Sequence, residues 1–216
     1  MKLKKKWMMV LIFFLIALIY TICVKTIDVG KIGPEGSVVG FQTLNNWFKN
    51  TVGYQELFYK ISKYLGIIPF LLVAFYGIIG VKQLIEKKTI AKVDKKILYL
   101  GIFYVLVGIT YLFFEKVIIN YRPVILEDVL EASYPSSHTM LAYTICISSL
   151  LIQNSYIKNE TLQKILKIGT ILLLLGLIIS RSLSGVHWIS DIIGGILISQ
   201  FLISIYQALI KEENSL

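Results

Sequence analysis

An all-α membrane bundle of six transmembrane helices is the fold class this sequence predicts, and three observations lead to it. Hydrophobic residues make up 56% of the 216 residues and charged residues only 16%, where a soluble domain carries about a quarter charged. The apolar residues fall in long runs, not in short alternating stretches, so lipid is the solvent for most of the chain. The lysines gather in segments between alternate runs, a pattern that sets orientation in a membrane.

The first run, 7–27, follows the basic segment Met1 to Lys6. A basic start before an apolar run also describes a signal peptide. The stretch from Trp7 to Val24 is long for that purpose and no small-x-small cleavage site follows, so an uncleaved first span is expected. Residues 28–60 form a link containing Gly30, Gly33, Pro34 and Gly36. Within it Phe41, Leu44, Trp47 and Phe48 recur near helical spacing among polar residues. That reads as an interfacial amphipathic helix between spans one and two, or as an ordinary loop with scattered aromatics. Runs 61–81 and 97–118 supply spans two and three. The fourth, 137–153, is short and carries Ser and Thr, with its start set by Pro135. Runs 164–182 and 189–210 complete the six, and Gly194 and Gly195 permit close helix approach in the last. There is no internal repeat or low-complexity tract. Residues 1–216 are expected to form a single membrane domain, with spans four, five and six converging at their outer ends.

The net charge of +9 is spent in the links. Lys2, Lys4, Lys5 and Lys6 precede span one, and Lys82, Lys87, Lys88, Lys92, Lys95 and Lys96 lie between spans two and three. Lys158, Lys164 and Lys167 lie in or beside the next such link, and Lys211 follows span six. In a six-span topology all of these face one side, which the positive-inside rule makes the cytoplasm. Both termini are then cytoplasmic. No basic-aromatic surface is left over for nucleic acid. Cys23 and Cys146 lie inside apolar runs and read as buried thiols, with no metal-binding or disulfide spacing. The composition, rich in Lys and Ile, suggests a bacterial plasma membrane. Oligomeric state has no signature here.

The only two histidines, His138 and His187, and the only two arginines, Arg122 and Arg181, fall in three short segments on the outer side. Charged groups beside lipid are costly and mark functional sites. Arg122 precedes Pro123, which is expected to stop the helix; its planar fork matches two phosphate oxygens. Taken alone, it reads as readily as an arginine snorkelling to headgroups. Pro135-Ser136-Ser137-His138 begins span four, where unpaired N–H groups and the two hydroxyls would favour an anion. It is also common helix capping. His138 stands where it could protonate a leaving oxygen. In the third segment His187 and Asp191 are four apart and share a helical face. A carboxylate bonded to one ring nitrogen would leave the other as a nucleophile. The alternative is a His-Asp pair capping a helix beside an interfacial tryptophan, Trp188. Together the segments hold a nucleophile with its carboxylate, a proton donor and two guanidinium forks, the parts phosphoryl transfer requires. No Asp/Glu/His cluster offers a divalent-metal site.

Arg-Pro, then Pro-Ser-x-His, then Ser-Arg-x5-His-x3-Asp, in that order, resembles the type 2 phosphatidic acid phosphatase superfamily. The third motif, Arg181 to His187 to Asp191, matches in full; the second has Ser137 where the family usually has Gly. The resemblance implies that His187 is phosphorylated during turnover, that Asp191 orients it, and that His138 protonates the leaving alcohol and then activates water. It implies that Arg122, Arg181, Ser136 and Ser137 hold the phosphate, without metal or cofactor. The first motif departs: the family's lysine position, seven before the arginine, holds Glu115, and Lys116 is one residue late. One residue turns a helical side chain by about 100°. Lys116 either reaches the phosphate on its flexible stem or snorkels to solvent, and Glu115 is free to pair with a site base.

The expected function is hydrolysis of a membrane lipid phosphate at the extracytoplasmic face. Phosphatidic acid, phosphatidylglycerol phosphate and polyprenyl diphosphates are the candidate substrates. A phosphotransferase would use the same residues. A non-catalytic lipid-binding relative or an anion transporter are the readings outside catalysis, although transporter sites lie near the midplane and these groups cluster at one boundary.

Overall fold

The structure is a computed structural model describing residues 2–126 and 128–213. The side chains of residues 2–4 and 211–213 lie outside the description, and with them the charges of Lys2, Lys4 and Lys211. Eight α-helices are present among the described residues, and six of them are long: α1 (Lys2–Thr26), α4 (Ile68–Lys87), α5 (Lys95–Lys116), α6 (Ser137–Tyr156), α7 (Glu160–Leu183) and α8 (Ile189–Glu213). Two shorter helices, α2 (Gln42–Val52) and α3 (Glu56–Leu65), lie between α1 and α4.

Five apolar stretches are long enough to cross a membrane: those of α1, α5, α7 and α8, and the continuous run from α3 through α4. The sixth long helix, α6, does not qualify by composition, and burial explains why. Ten of its twenty residues are buried, among them Thr139, Thr144, Ser148, Ser149 and Gln153. Each of these hydroxyls finds a partner inside the bundle. Ser148 Oγ lies 3.1 Å from the Tyr104 hydroxyl, and Ser149 Oγ 3.0 Å from that of Tyr76. Thr144 returns its hydroxyl to the Met140 carbonyl at 2.8 Å. A helix walled from lipid by protein needs no lipid-like surface.

Helix α8 is the hub, with 56% of its membrane-length window buried against 11–22% for the other four stretches. It packs on α1, α5 and α6, and α6 packs in turn on α4 and α7. The core runs through this seam, where Phe103 of α5 stacks on Tyr206 of α8 at 5.2 Å.

The interfacial helix expected around Phe41–Phe48 is α2. Its buried Asn45 clamps the start of α8: Nδ2 donates to Ser190 Oγ at 2.9 Å, and the Ser190 N–H donates to Asn45 Oδ1 at 3.2 Å. Helix α4 itself starts at Ile68, inside an apolar stretch, Glu56–Lys87, that contains the expected second span of 61–81. The residues before α4 form α3, which packs along α7. The break falls at Gly66–Ile67, and Pro69 sits in the first turn of α4, where a missing N–H costs nothing. Helix α5 ends at Lys116, well before Pro123, so the proline does not stop it and Arg122 lies in the following loop. There Tyr121 pairs with Ala132 in a short antiparallel bridge.

Candidate active site

Three helix ends and one loop meet around His187. The Ser136 hydroxyl caps α6, accepting from Thr139 Oγ1 at 3.0 Å and from the Thr139 N–H at 3.5 Å. The Ser136 N–H donates to the Asp191 carbonyl at 3.0 Å, which ties the start of α6 to the start of α8. Two glycines make that approach possible. A Cβ on Gly195 would stand 3.1 Å from the Ser136 carbonyl oxygen, and one on Gly194 would overlap the Tyr134 ring. Between α7 and α8 the chain turns at Gly185, whose φ of 68° favours glycine and whose Cβ would strike the Gly53 carbonyl.

His187 is buried, 3% exposed, and both ring nitrogens are engaged. Arg181 Nη2 lies 2.9 Å from Nε2. A guanidinium has only donors, so Nε2 accepts and the proton sits on Nδ1. Nδ1–H then donates to Ser133 Oγ at 3.0 Å, and the Ser133 hydroxyl donates to Asp191 Oδ2 at 2.5 Å. The direct contact expected between Asp191 and the ring is absent: Nδ1 and Oδ2 are 3.9 Å apart. Ser133 stands between them. The carboxylate also accepts from Asn120 Nδ2 at 3.1 Å and from the Trp188 N–H at 3.1 Å. Asp191 therefore caps the start of α8 and also reaches the histidine through Ser133. Trp188 is buried rather than interfacial, donating from Nε1 to the Tyr121 carbonyl at 2.7 Å. Burial first, then the charges of Arg181, Arg122 and His138, hold the His187 imidazole well below its usual range.

The cations around this ring are under-partnered. Arg181 is 1% exposed, yet among the described residues its Nε and Nη1 have no hydrogen-bond partner, and neither has His138 Nδ1. Buried donors of this kind are rare without a ligand or other partner. Arg122 Nε lies 3.0 Å from Glu131 Oε2, an ion pair whose angle falls short of a hydrogen bond. Helix α3 lies against the same cluster. Its Tyr59 ring stands 5.8 Å from the Arg181 guanidinium carbon, and a Cβ on its capping Gly66 would touch His138 at 3.5 Å.

The structure thus brings together His187, Asp191, Arg181, Arg122 and His138, as the motifs suggested. Ser137 opens α6 beside them and lines the cleft at His187. Ser136 differs from expectation: it is fully buried and its oxygen serves the helix cap. Lys116 is exposed at the end of α5 and does not line that cleft, whereas Glu115 does. Sequence reasoning missed Ser133, Asn120, Glu131 and Tyr59. Asn120, Ser133 and Tyr59 meet Asp191, His187 and Arg181 across long chain separations, which spacing does not report. The Asn120 and Ser133 that flank the Arg122 loop are the nearest thing to a signal, as polar residues beside an outer motif. Among the described residues no three His, Cys, Asp or Glu group to hold a metal.

A polytopic helical membrane protein with a histidine buried among under-partnered cations is the class that fold and site define. The comparisons make it particular. The PAP2 superfamily model matches residues 44–214, and the chain belongs to that superfamily. It is a membrane phosphatase of the PAP2 type. The fold is similar to the crystal structure of a transmembrane PAP2 type phosphatidylglycerolphosphate phosphatase from Bacillus subtilis. The TM-score is 0.61 at 18% identity, over 94% of this chain and 96% of that one. Among curated proteins none matches the chain.

Proposed function

We propose that residues 1–216 act as one membrane domain that hydrolyses a lipid phosphate monoester or diphosphate at the extracytoplasmic face, through a phosphohistidine on His187. The observation that carries this is the pairing at His187: an Nε2 lone pair beside Arg181, whose remaining buried donors Nε and Nη1 have no partner among the described residues. A phosphoryl group there would take those donors and draw Arg181 Nη2 off Nε2, freeing its one lone pair to meet phosphorus in line. In the first step the Nε2 lone pair attacks phosphorus, the N–P bond forms and the P–O bond to the lipid breaks. The departing oxygen takes a proton from His138. In the second step water gives a proton to His138, its oxygen attacks phosphorus, and the N–P bond breaks to release phosphate. The positive charge that builds on the His187 ring is met by Asp191 through Ser133. Arg122 and Ser137 complete the phosphate cradle, and Arg122 leaves Glu131 to do so. Phosphatidic acid, phosphatidylglycerol phosphate and polyprenyl diphosphates are the substrate candidates. Transfer of the phosphoryl group to a second lipid instead of water would use the same residues. The lysine-rich links support a bacterial cell membrane in which the opposite end of the bundle, with both termini, faces the cytoplasm.

The test is phosphate release from a panel of these lipids by detergent-purified protein, with EDTA present. Wild type should release phosphate, and His187→Ala should lose more than about 10³-fold in rate. No release from any lipid by wild type, or undiminished release by the variant, would refute the proposal.

A further inference from the structure

We infer that Lys63 is a substrate-specificity residue of this site, supplying on α3 the cation that Glu115 displaces from the first motif, and that it selects lipids whose leaving group is itself an anion. The inference rests on the phosphohistidine mechanism proposed above.

The geometry comes from the register of α3. Tyr59, Lys63 and Gly66 are spaced four and three apart and so share one face of the helix. Tyr59 stands over Arg181 and Gly66 borders His138, so Lys63 between them faces the site. The buried Ser62 beside it fixes which side of α3 turns inward. Lys63 is exposed, and no acidic side chain pairs with it among the described residues, whereas Lys60 on the next turn is held by Glu56 at 2.7 Å. Its ammonium is therefore available to a ligand.

Its position says which part of the ligand. His187 meets phosphorus on one side and His138 meets the leaving oxygen on the other. A cation on the His138 side lies along the leaving group, not the transferred phosphoryl. Glu115 of α5 lines the cleft with His187, so the cation that the first motif would supply from α5 comes here from α3. A diacylglycerol leaving group is neutral and gains nothing from Lys63. A leaving phosphate of a lipid diphosphate, or the phosphodiester that remains when phosphatidylglycerol phosphate is cleaved, carries a negative charge there. The shared chemistry is a second anionic phosphate on the leaving side.

The experiment measures kcat/KM of the detergent-purified full chain on a polyprenyl diphosphate, phosphatidylglycerol phosphate and phosphatidic acid, for wild type, Lys63→Gln and Lys63→Arg. Lys63→Gln should lose about tenfold more on at least one of the two substrates with an anionic leaving group than on phosphatidic acid, and Lys63→Arg should restore most of it. Which of the two responds identifies where the second charge sits. Equal loss on all three lipids, no loss on any, or a wild type that cleaves phosphatidic acid alone would overturn the inference while leaving the phosphatase reading intact. A wild type that releases phosphate from none of them would overturn both.

Discussion

At the scale of residues, the chemistry of His187 comes from three neighbours drawn from three parts of the chain. Arg181 fixes the tautomer by donating to Nε2, Ser133 takes the Nδ1 proton, and Asp191 anchors Ser133. Removing the middle member should uncouple the carboxylate without touching the nucleophile. Ser133→Ala is expected to lower kcat by about 10- to 100-fold, the scale seen when a hydrogen-bonding partner that orients a functional histidine is lost, with KM little changed. Steady-state kinetics on one lipid phosphate would check it, and an unchanged kcat would remove Ser133 from the mechanism. The depressed imidazole makes a second prediction. A ring held neutral well below its usual value stays nucleophilic in mild acid, so no acid limb attributable to His187 should appear near pH 6.5 in kcat/KM. The sign for stability follows from the same shift. The unfolded chain binds a proton near pH 6.5 that the folded ring refuses, so this contribution is present above that pH and is lost as pH falls toward the folded value. Thermal unfolding at pH 7.5 and 5.5, compared between wild type and His187→Asn, would show it as a smaller acid-induced loss in the variant. His187, His138, Asp191 and both arginines were legible because they are rare types at fixed spacing. Ser133 was not, since one serine among many carries no signal until the fold places it between His187 and Asp191.

Elements tell a similar story through burial. The sequence reported the lipid-facing helices well, because lipid exposure demands continuous apolar surface. It placed α6 at 137–153 by the Pro135 start and not by hydropathy, because Thr144, Ser148 and Ser149 answer to Tyr76, Tyr104 and backbone carbonyls inside the bundle. It did not show the break between α3 and α4 inside the second span, because the apolar run continues through Gly66. The α6–α8 seam depends on glycines, and that can be tested. Gly194→Ala drives a methyl into the Tyr134 ring, which is 1% exposed and bonded through its hydroxyl to Thr21 at 2.7 Å. Overpacking of this kind costs about 1–3 kcal/mol, read as a lower midpoint of thermal unfolding in detergent. An unchanged midpoint would mean that the seam is looser than the glycines imply.

For the whole molecule, the account requires one end of the bundle to face out. The three segments that hold the histidines and arginines, with α2 and α3, gather at that end, and the lysine-rich links gather at the other. Single cysteines introduced at Trp47 and at Lys88, in a background with Cys23 and Cys146 replaced by serine, should separate under a membrane-impermeant thiol reagent on intact cells. Trp47→Cys should label and Lys88→Cys should not; the reverse would invert the topology. Family and bundle were legible from motif order and hydropathy, while the nearness of α3 to the cluster at His138 and Arg181 appears only in the folded arrangement. The most direct measurement is a trapping experiment with a lipid substrate labelled on its terminal phosphate, quenched early in turnover. The account predicts covalent label on the protein that survives alkali, is lost in acid, and disappears in His187→Ala. Turnover without any such label, or label that persists in His187→Ala, would contradict it.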